Sequence, residues 1–208
     1  MTSITPIRDP KTDWLISPEN SVLCIIDYQP TQVSSLNTDQ TSAYIINNLV
    51  TLCKVAKLYN VPIVLSTVNV KDGRNADTIA AIKNALPEGT PSIDRTSMNS
   101  WEDADFVAAV KATGRKKIIM TALWTEVCAT FPTLDALHEG YEVYPVADAI
   151  AGTTTVTHEM ALRRMQQAGA TPVTVTELIC ELQRDWNRTE TVKGFAEALL
   201  ENGAFISI

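Results

Sequence analysis

The chain has little from which to build a metal centre. Its 208 residues include only two histidines, His138 and His158, and four cysteines, Cys24, Cys53, Cys128 and Cys180. The cysteines are widely spaced and form no Cys-x-x-Cys pair. Cys24 lies in an apolar strand and Cys53 in a helical pattern. Free thiols in a reducing cytoplasm are therefore expected, not disulfides or structural zinc. No run of 18 apolar residues exists, so no membrane-spanning helix is expected. The first ten residues lack a basic stretch leading into an apolar one, so no secretory signal is read there, and a cytoplasmic location is expected. Positive charge is not in excess: 17 Lys and Arg stand against 24 Asp and Glu, a net charge of −7. That balance argues against nucleic acid or an anionic membrane surface as partner. Nor is there a glycine-rich phosphate loop, because the first strand runs directly into Tyr28-Gln29-Pro30, which speaks against nucleotide binding.

What is present is an ordinary soluble core, 45% hydrophobic, long enough for one domain. Short continuous apolar runs predict strands at 22–27, 61–68, 117–123, 141–146 and 171–175. Pro62 begins the second of these, where its missing N–H is tolerated. Helical spacing predicts helices over 41–59, 75–86, 101–113, from 128 to about 139, over 158–168 and up to about 183. Gly114, Gly140 and Gly169 stand where C-caps are needed. Residues 90–101 read as irregular. Strand and helix alternating in this way predict a three-layer α/β/α sandwich around a mostly parallel sheet, with ligands outside the carboxyl ends of the strands. The domain spans residues 1–185. The tail, 186–208, carries an apolar helical stripe of Val192, Phe195, Ala196, Leu199 and Leu200. Because the α/β core looks complete by about residue 183, the tail is expected to pack on a neighbouring subunit.

The run Lys117-Ile-Ile-Met-Thr-Ala-Leu-Trp-Thr-Glu-Val-Cys128 places a cysteine where a helix begins after a buried strand. Unpaired N–H groups at a helix start favour a thiolate, making Cys128 a candidate nucleophile; the bland reading is a small buried hydrophobe. Asp27 ends the first strand, and a carboxylate there is partly desolvated and suited to take a proton. Arg95 lies in Asp94-Arg-Thr-Ser-Met-Asn-Ser-Trp101. A parallel sheet brings all three to one side. Taken singly, Asp27 reads as a capping residue and Arg95 as a surface ion pair. Lys116 and Lys117 begin the strand that Cys128 follows, so about 20 Å of strand separates them from the carboxyl end. His138, ten residues along the helix from Cys128, is out of reach at about 15 Å. His158 could approach the same rim and keeps a Cys–His dyad open as a rival.

These residues carry a resemblance. Ile25-Ile-Asp-Tyr-Gln29, Pro62-Ile-Val-Leu-Ser-Thr67, Arg95-Thr-Ser-Met-Asn-Ser-Trp101, Thr125-Glu-Val-Cys128 and Gly140-Tyr-Glu-Val-Tyr-Pro-Val-Ala-Asp-Ala149 resemble the isochorismatase-like cysteine hydrolases over roughly residues 20–185. Thr125-Glu-Val-Cys-Ala-Thr-Phe-Pro132 and Leu182-Gln-Arg-Asp-Trp186 are most similar to the YcaC-type group, hydrolases that assemble as octamers. The resemblance implies an isochorismatase-like fold of Rossmann-like topology and an Asp–Lys–Cys triad, with Asp27 and Cys128 in place and Arg95 where the lysine usually stands. Arginine cannot release its proton, so Arg95 can act only electrostatically. It further implies a cis peptide at Leu123–Trp124 and an oxyanion hole formed by the N–H groups of Trp124 and Cys128. Pro132 removes one helical hydrogen bond to the Cys128 carbonyl, so a distorted first turn is expected. The metal site of some nicotinamidases needs Asp-x-His; here the segment reads Ser66-Thr-Val-Asn-Val70, so no metal and no other cofactor is expected.

Gln29, Asn99, Trp101, Trp124 and Phe131 are expected to line the pocket, partly by resemblance. Its tryptophans point to a small, flat or apolar molecule. The expected activity is hydrolysis of a small amide-like substrate through a Cys128 thioester, in a homo-oligomer that is an octamer by resemblance. The alternative is a ligand-binding or redox-sensing protein that uses the same thiol without turnover.

Overall fold

The computed structural model describes residues 5–204. Five parallel strands form its sheet: β1 (Ser21–Ile26), β2 (Ile63–Val68), β3 (Ser92–Arg95), β4 (Lys117–Ala122) and β5 (Glu142–Pro145), in the order β3-β2-β1-β4-β5. The helices are α1 (Pro30–Ser34), α2 (Ser42–Leu58), α3 (Ala80–Ala85), α4 (Ala104–Ala112), α5 (Thr130–His138), α6 (Thr155–Gln167), α7 (Val175–Gln183) and α8 (Val192–Glu201).

Every residue of β1 and β4 is buried, as a sheet covered on both faces requires. Alternation along the strands divides the core in two. Leu23, Ile25, Leu65 and Ile119 face one layer with Leu49, Leu52, Leu178 and Phe195 of α2, α7 and α8. Val22, Cys24, Ile26, Ile118 and Met120 face the other with Phe106, Val110, Ala136 and Met165 of α4, α5 and α6. The sheet is thus doubly wound about β1, and its switch point lies between the carboxyl ends of β1 and β4. At the opposite, amino end, Lys117 donates from Nζ to Glu142 (2.5 Å), Tyr144 Oη (3.0 Å) and the Trp14 carbonyl (3.0 Å).

Three elements differ from the sequence reading. The irregular stretch 90–101 contains the edge strand β3; with only Ile93 apolar in Ser-Ile-Asp-Arg, it carries little strand signal. The strand expected at 171–175 is reduced to a single bridge between Val146 and Val173. Thr171 N and Val173 N do reach the Val143 and Pro145 carbonyls at 2.9 Å, but Pro145 has no N–H to continue the ladder.

The third difference is the tail. α8 packs on α2 and α7 of its own chain, burying Phe195, Ala198 and Leu199. Gly194 allows the close approach: a Cβ there would stand 2.9 Å from Leu58 Cδ2. Tyr59 Oη and Thr191 Oγ1 both donate to Gln183 Oε1, at 2.5 and 2.8 Å. Phe195, Ala198 and Leu199 of the stripe thus pack on this chain's own α2 and α7, while Leu200 stays exposed. Residues 205–208 lie outside the described residues.

Candidate active site

Asp27 leaves β1 in the left-handed region, φ 62°, a conformation that Asp tolerates better than most residues. Its N–H donates to the Ser66 carbonyl at 3.0 Å, and its own carbonyl accepts from Gln29 N at 2.8 Å. The turn aims the carboxylate into the protein at the sheet's switch point. Arg95, the last residue of β3, meets it in a bidentate pair: Nη1 to Oδ1 and Nη2 to Oδ2, both 2.8 Å, with both side chains fully buried. Nη1 also donates to Ser66 Oγ and the Thr67 carbonyl at 3.1 Å, and Nη2 to the Met98 carbonyl at 3.4 Å. Burial alone would lower the pKa of Arg95, but its contacts with Asp27 outweigh that and hold it above its ordinary value.

Cys128 joins this pair. β4 ends at Ala122, and the Leu123–Trp124 peptide is cis. The chain then makes a π-helical turn, Thr125–Ala129, before α5 begins. Ala129 N donates to the Trp124 carbonyl and Thr130 Oγ1 to the Thr125 carbonyl. Pro132 offers no N–H to the Cys128 carbonyl, and the expected distortion takes this widened form. Asp27, Arg95 and the Trp124 backbone are close enough to act on the Cys128 thiol. Burial, then the Asp27 carboxylate, push its thiol well up, against the opposing pull of Arg95. Burial and Asp27 thus act against the thiolate that a helix start was expected to favour, and Arg95 acts for it. Cys128 retains 7% exposure. Cys24 and Cys53, fully buried, are pushed up to about 12 by burial with no such partner.

The remaining expected residues divide. Trp124 and Phe131 are partly exposed at the rim, with Trp124 Nε1 donating to Ser35 Oγ at 2.7 Å. Asn99 caps the 3₁₀ turn Ser100–Glu102 through Trp101 N (3.0 Å) and donates to Asp135 Oδ2 (2.7 Å). Gln29 does not line the pocket. It is fully buried; Oε1 accepts from Val68 N, while Nε2 donates to the Val68 and Ala76 carbonyls. No group is left for a substrate, and Gln29 instead ties loop 69–79 to the strand ends. Trp101 is likewise a core residue, packed edge-on against Phe106 and Tyr141 and donating from Nε1 to Glu139.

Sequence reasoning missed a clamp behind Cys128. Glu126 Oε1 accepts from Thr153 N (3.0 Å) and Thr153 Oγ1 (2.6 Å). Thr125 N donates to the Ala151 carbonyl, and Thr125 Oγ1 lies 2.8 Å from His158 Nδ1. His158 is thus engaged with Thr125, not with the sulfur, and its pKa is lowered mainly by burial. Gly152 is required because a Cβ there would stand 2.6 Å from Glu126 Oε2. In sequence it is one glycine in a polar loop, with nothing to mark the approach of Glu126. His138 is exposed at the end of α5.

The donors after β2 do not suit a metal. The Asp94 carboxylate already accepts from Thr67 Oγ1, Val70 N and Lys71 N. Among the described residues, no three His, Cys, Asp or Glu side chains are grouped to hold an ion, and no helix is long and apolar enough to cross a membrane.

Comparison with known proteins shows what the chain is similar to. The isochorismatase domain model matches residues 21–177. The chain is 36% identical over 172 residues to the probable hydrolase YcaC of Escherichia coli, covering 82% of this chain and 81% of that protein. It is 30% identical over 177 residues to the secreted isochorismatase effector Isc1 of Phytophthora sojae, covering 83% and 81%. Two solved structures superpose with a TM-score of 0.84. YcaC from Pseudomonas aeruginosa, with hexane-2,5-diol and covalent acrylamide, is 34% identical and is matched over 92% of this chain and 93% of its own. The Escherichia coli YcaC gene product, an octameric hydrolase of unknown specificity, is 33% identical and is matched over 92% of each chain.

Proposed function

The chain belongs to the isochorismatase family of hydrolases and is YcaC-like; from that premise we propose that it hydrolyses a small amide-like substrate through a thioester on Cys128. The observation that carries this reading is the buried bidentate pair in which Arg95 grips the Asp27 carboxylate, with the Cys128 thiol close enough for both to act on it.

The sulfur attacks the substrate carbonyl carbon, its proton passes to Asp27, and the carbonyl π pair moves onto oxygen. The N–H groups of Trp124 and Cys128 stabilise that oxyanion. As the carbonyl re-forms, the carbon–nitrogen bond breaks and the leaving amine takes the proton from Asp27. Water then gives a proton to Asp27 and adds to the thioester. The carbon–sulfur bond breaks, and the departing sulfur recovers its proton. Arg95 keeps its own proton throughout and fixes the carboxylate's position.

The protein acts as a homo-oligomer, a reading supported by its likeness to an octameric hydrolase. Its four free cysteines suit a cytoplasmic setting. The test is a panel of small amides assayed with wild type and Cys128→Ala. Turnover should vanish in the variant; turnover that survives it refutes the nucleophile.

A further inference from the structure

Arg95 is the cation of the site, and its one donor without a hydrogen-bond partner, Nε, is buried. Nη1 is held by Asp27 Oδ1, Ser66 Oγ and the Thr67 carbonyl; Nη2 is held by Asp27 Oδ2 and the Met98 carbonyl. Nε is sealed from solvent. Asp27 already balances the guanidinium charge, so the pair presents no net positive charge to an incoming molecule.

The other charges around this point are acidic. Asp103 acts on Arg95, Asp135 holds Asn99, and Glu126, two residues before the nucleophile, holds Thr153. On the loop after β2, the exposed cations are already answered: Arg74 pairs with Asp72 at 3.5 Å, and Lys71 lies beside Asp94. The sulfur reports the same field, since Asp27 outweighs Arg95 in its effect on the thiol. A carboxylate brought here would be desolvated with no cation to meet it.

We propose that the acyl substrate of Cys128 is uncharged, a small neutral amide or related carbonyl compound, and that carboxylate-bearing molecules are excluded because, among the described residues, the cation beside Cys128 is already paired. The proposal rests on Cys128 as the nucleophile and adds the substrate's charge class to that reading.

Iodoacetamide and iodoacetate test it, because they differ in charge and hardly in size. Each forms a sulfur–carbon bond with loss of iodide, the thiol proton passing to Asp27 and on to solvent. Rates at Cys128 are measured by peptide-resolved mass spectrometry on the full-length folded protein. The same cysteine in the urea-unfolded chain supplies the intrinsic amide-to-acetate ratio, and the exposed Cys180 serves as an internal standard. Folding should raise that ratio at Cys128 on the order of a hundredfold and leave it little changed at Cys180. A folded ratio equal to the unfolded one, or one favouring iodoacetate, overturns the charge class alone. Failure of both reagents to label Cys128 while Cys180 is labelled overturns the nucleophile as well.

Discussion

Replacing Asp27 by Asn tests whether the Asp27–Arg95 pair is one thermodynamic unit. Asn is the right probe because residue 27 sits at φ 62°, which Asn tolerates. The carboxamide matches the carboxylate in shape and removes only the charge. Arg95 is then a guanidinium with a fully buried side chain and no counter-ion, at a cost of about 3–5 kcal/mol. Arg95→Met leaves the buried Asp27 carboxylate unpaired at a similar cost. The double variant removes both charges, so it should lose about 5 kcal/mol or less, not the sum of about 6–10 kcal/mol. For a chain of this length each single change corresponds to a fall in Tm of roughly 6–20 °C. Urea denaturation at one fixed protein concentration measures all four corners of the cycle, with an unchanged m-value as the check on two-state behaviour. Costs that add within about 0.5 kcal/mol would refute the reasoning, since the two groups would then not depend on each other.

Three further outcomes follow from the same structure. Above about pH 9 the unfolded chain releases the protons of its thiols, whereas Cys24 and Cys53, pushed up to about 12, keep theirs when folded. Stability should therefore fall with rising pH between about 9 and 12, by up to about 1.4 kcal/mol per pH unit for each thiol. Cys24→Ala should flatten the slope, and an unchanged slope would contradict that assignment. Gly152→Ala would drive a Cβ to 2.6 Å from Glu126 Oε2, so it should slow Cys128 alkylation while leaving Cys180 alkylation unaltered; equal rates at Cys128 would show that the clamp does not position the nucleophile. Phe195→Ala should cost about 3–5 kcal/mol in denaturant titrations, and a loss below 1 kcal/mol would count against α8 as part of this domain's own core.

The layered sheet and its polarity were legible because buried parallel strands are written as apolar runs, and β1 and β4 are exactly such runs in composition: Ser-Val-Leu-Cys-Ile-Ile and Lys-Ile-Ile-Met-Thr-Ala. The meeting of Asp27 and Cys128 was legible for the same reason, since parallel strands deliver their carboxyl ends to one side; Arg95, at the end of β3, was placed with them by the resemblance. β3 was not, because edge position relieves it of the apolar residues that mark a strand. The upward push on the Cys128 thiol was not, because burial and the nearby Asp27 carboxylate arise only through folding. Gln29 and Trp101 suited a pocket by residue type, but their partners, the Val68 and Ala76 backbone and the Phe106 and Tyr141 rings, are distant in sequence. The tail stripe was visible, yet a stripe does not say which surface covers it.

The central claim is the covalent one. Rapid acid quench during turnover of a small neutral amide, followed by peptide mass spectrometry, should find the acyl group on Cys128, with ¹⁸O from labelled water entering the released acid once. Turnover with an unmodified Cys128 at every quench time, or with the acyl group on another residue, would contradict the account.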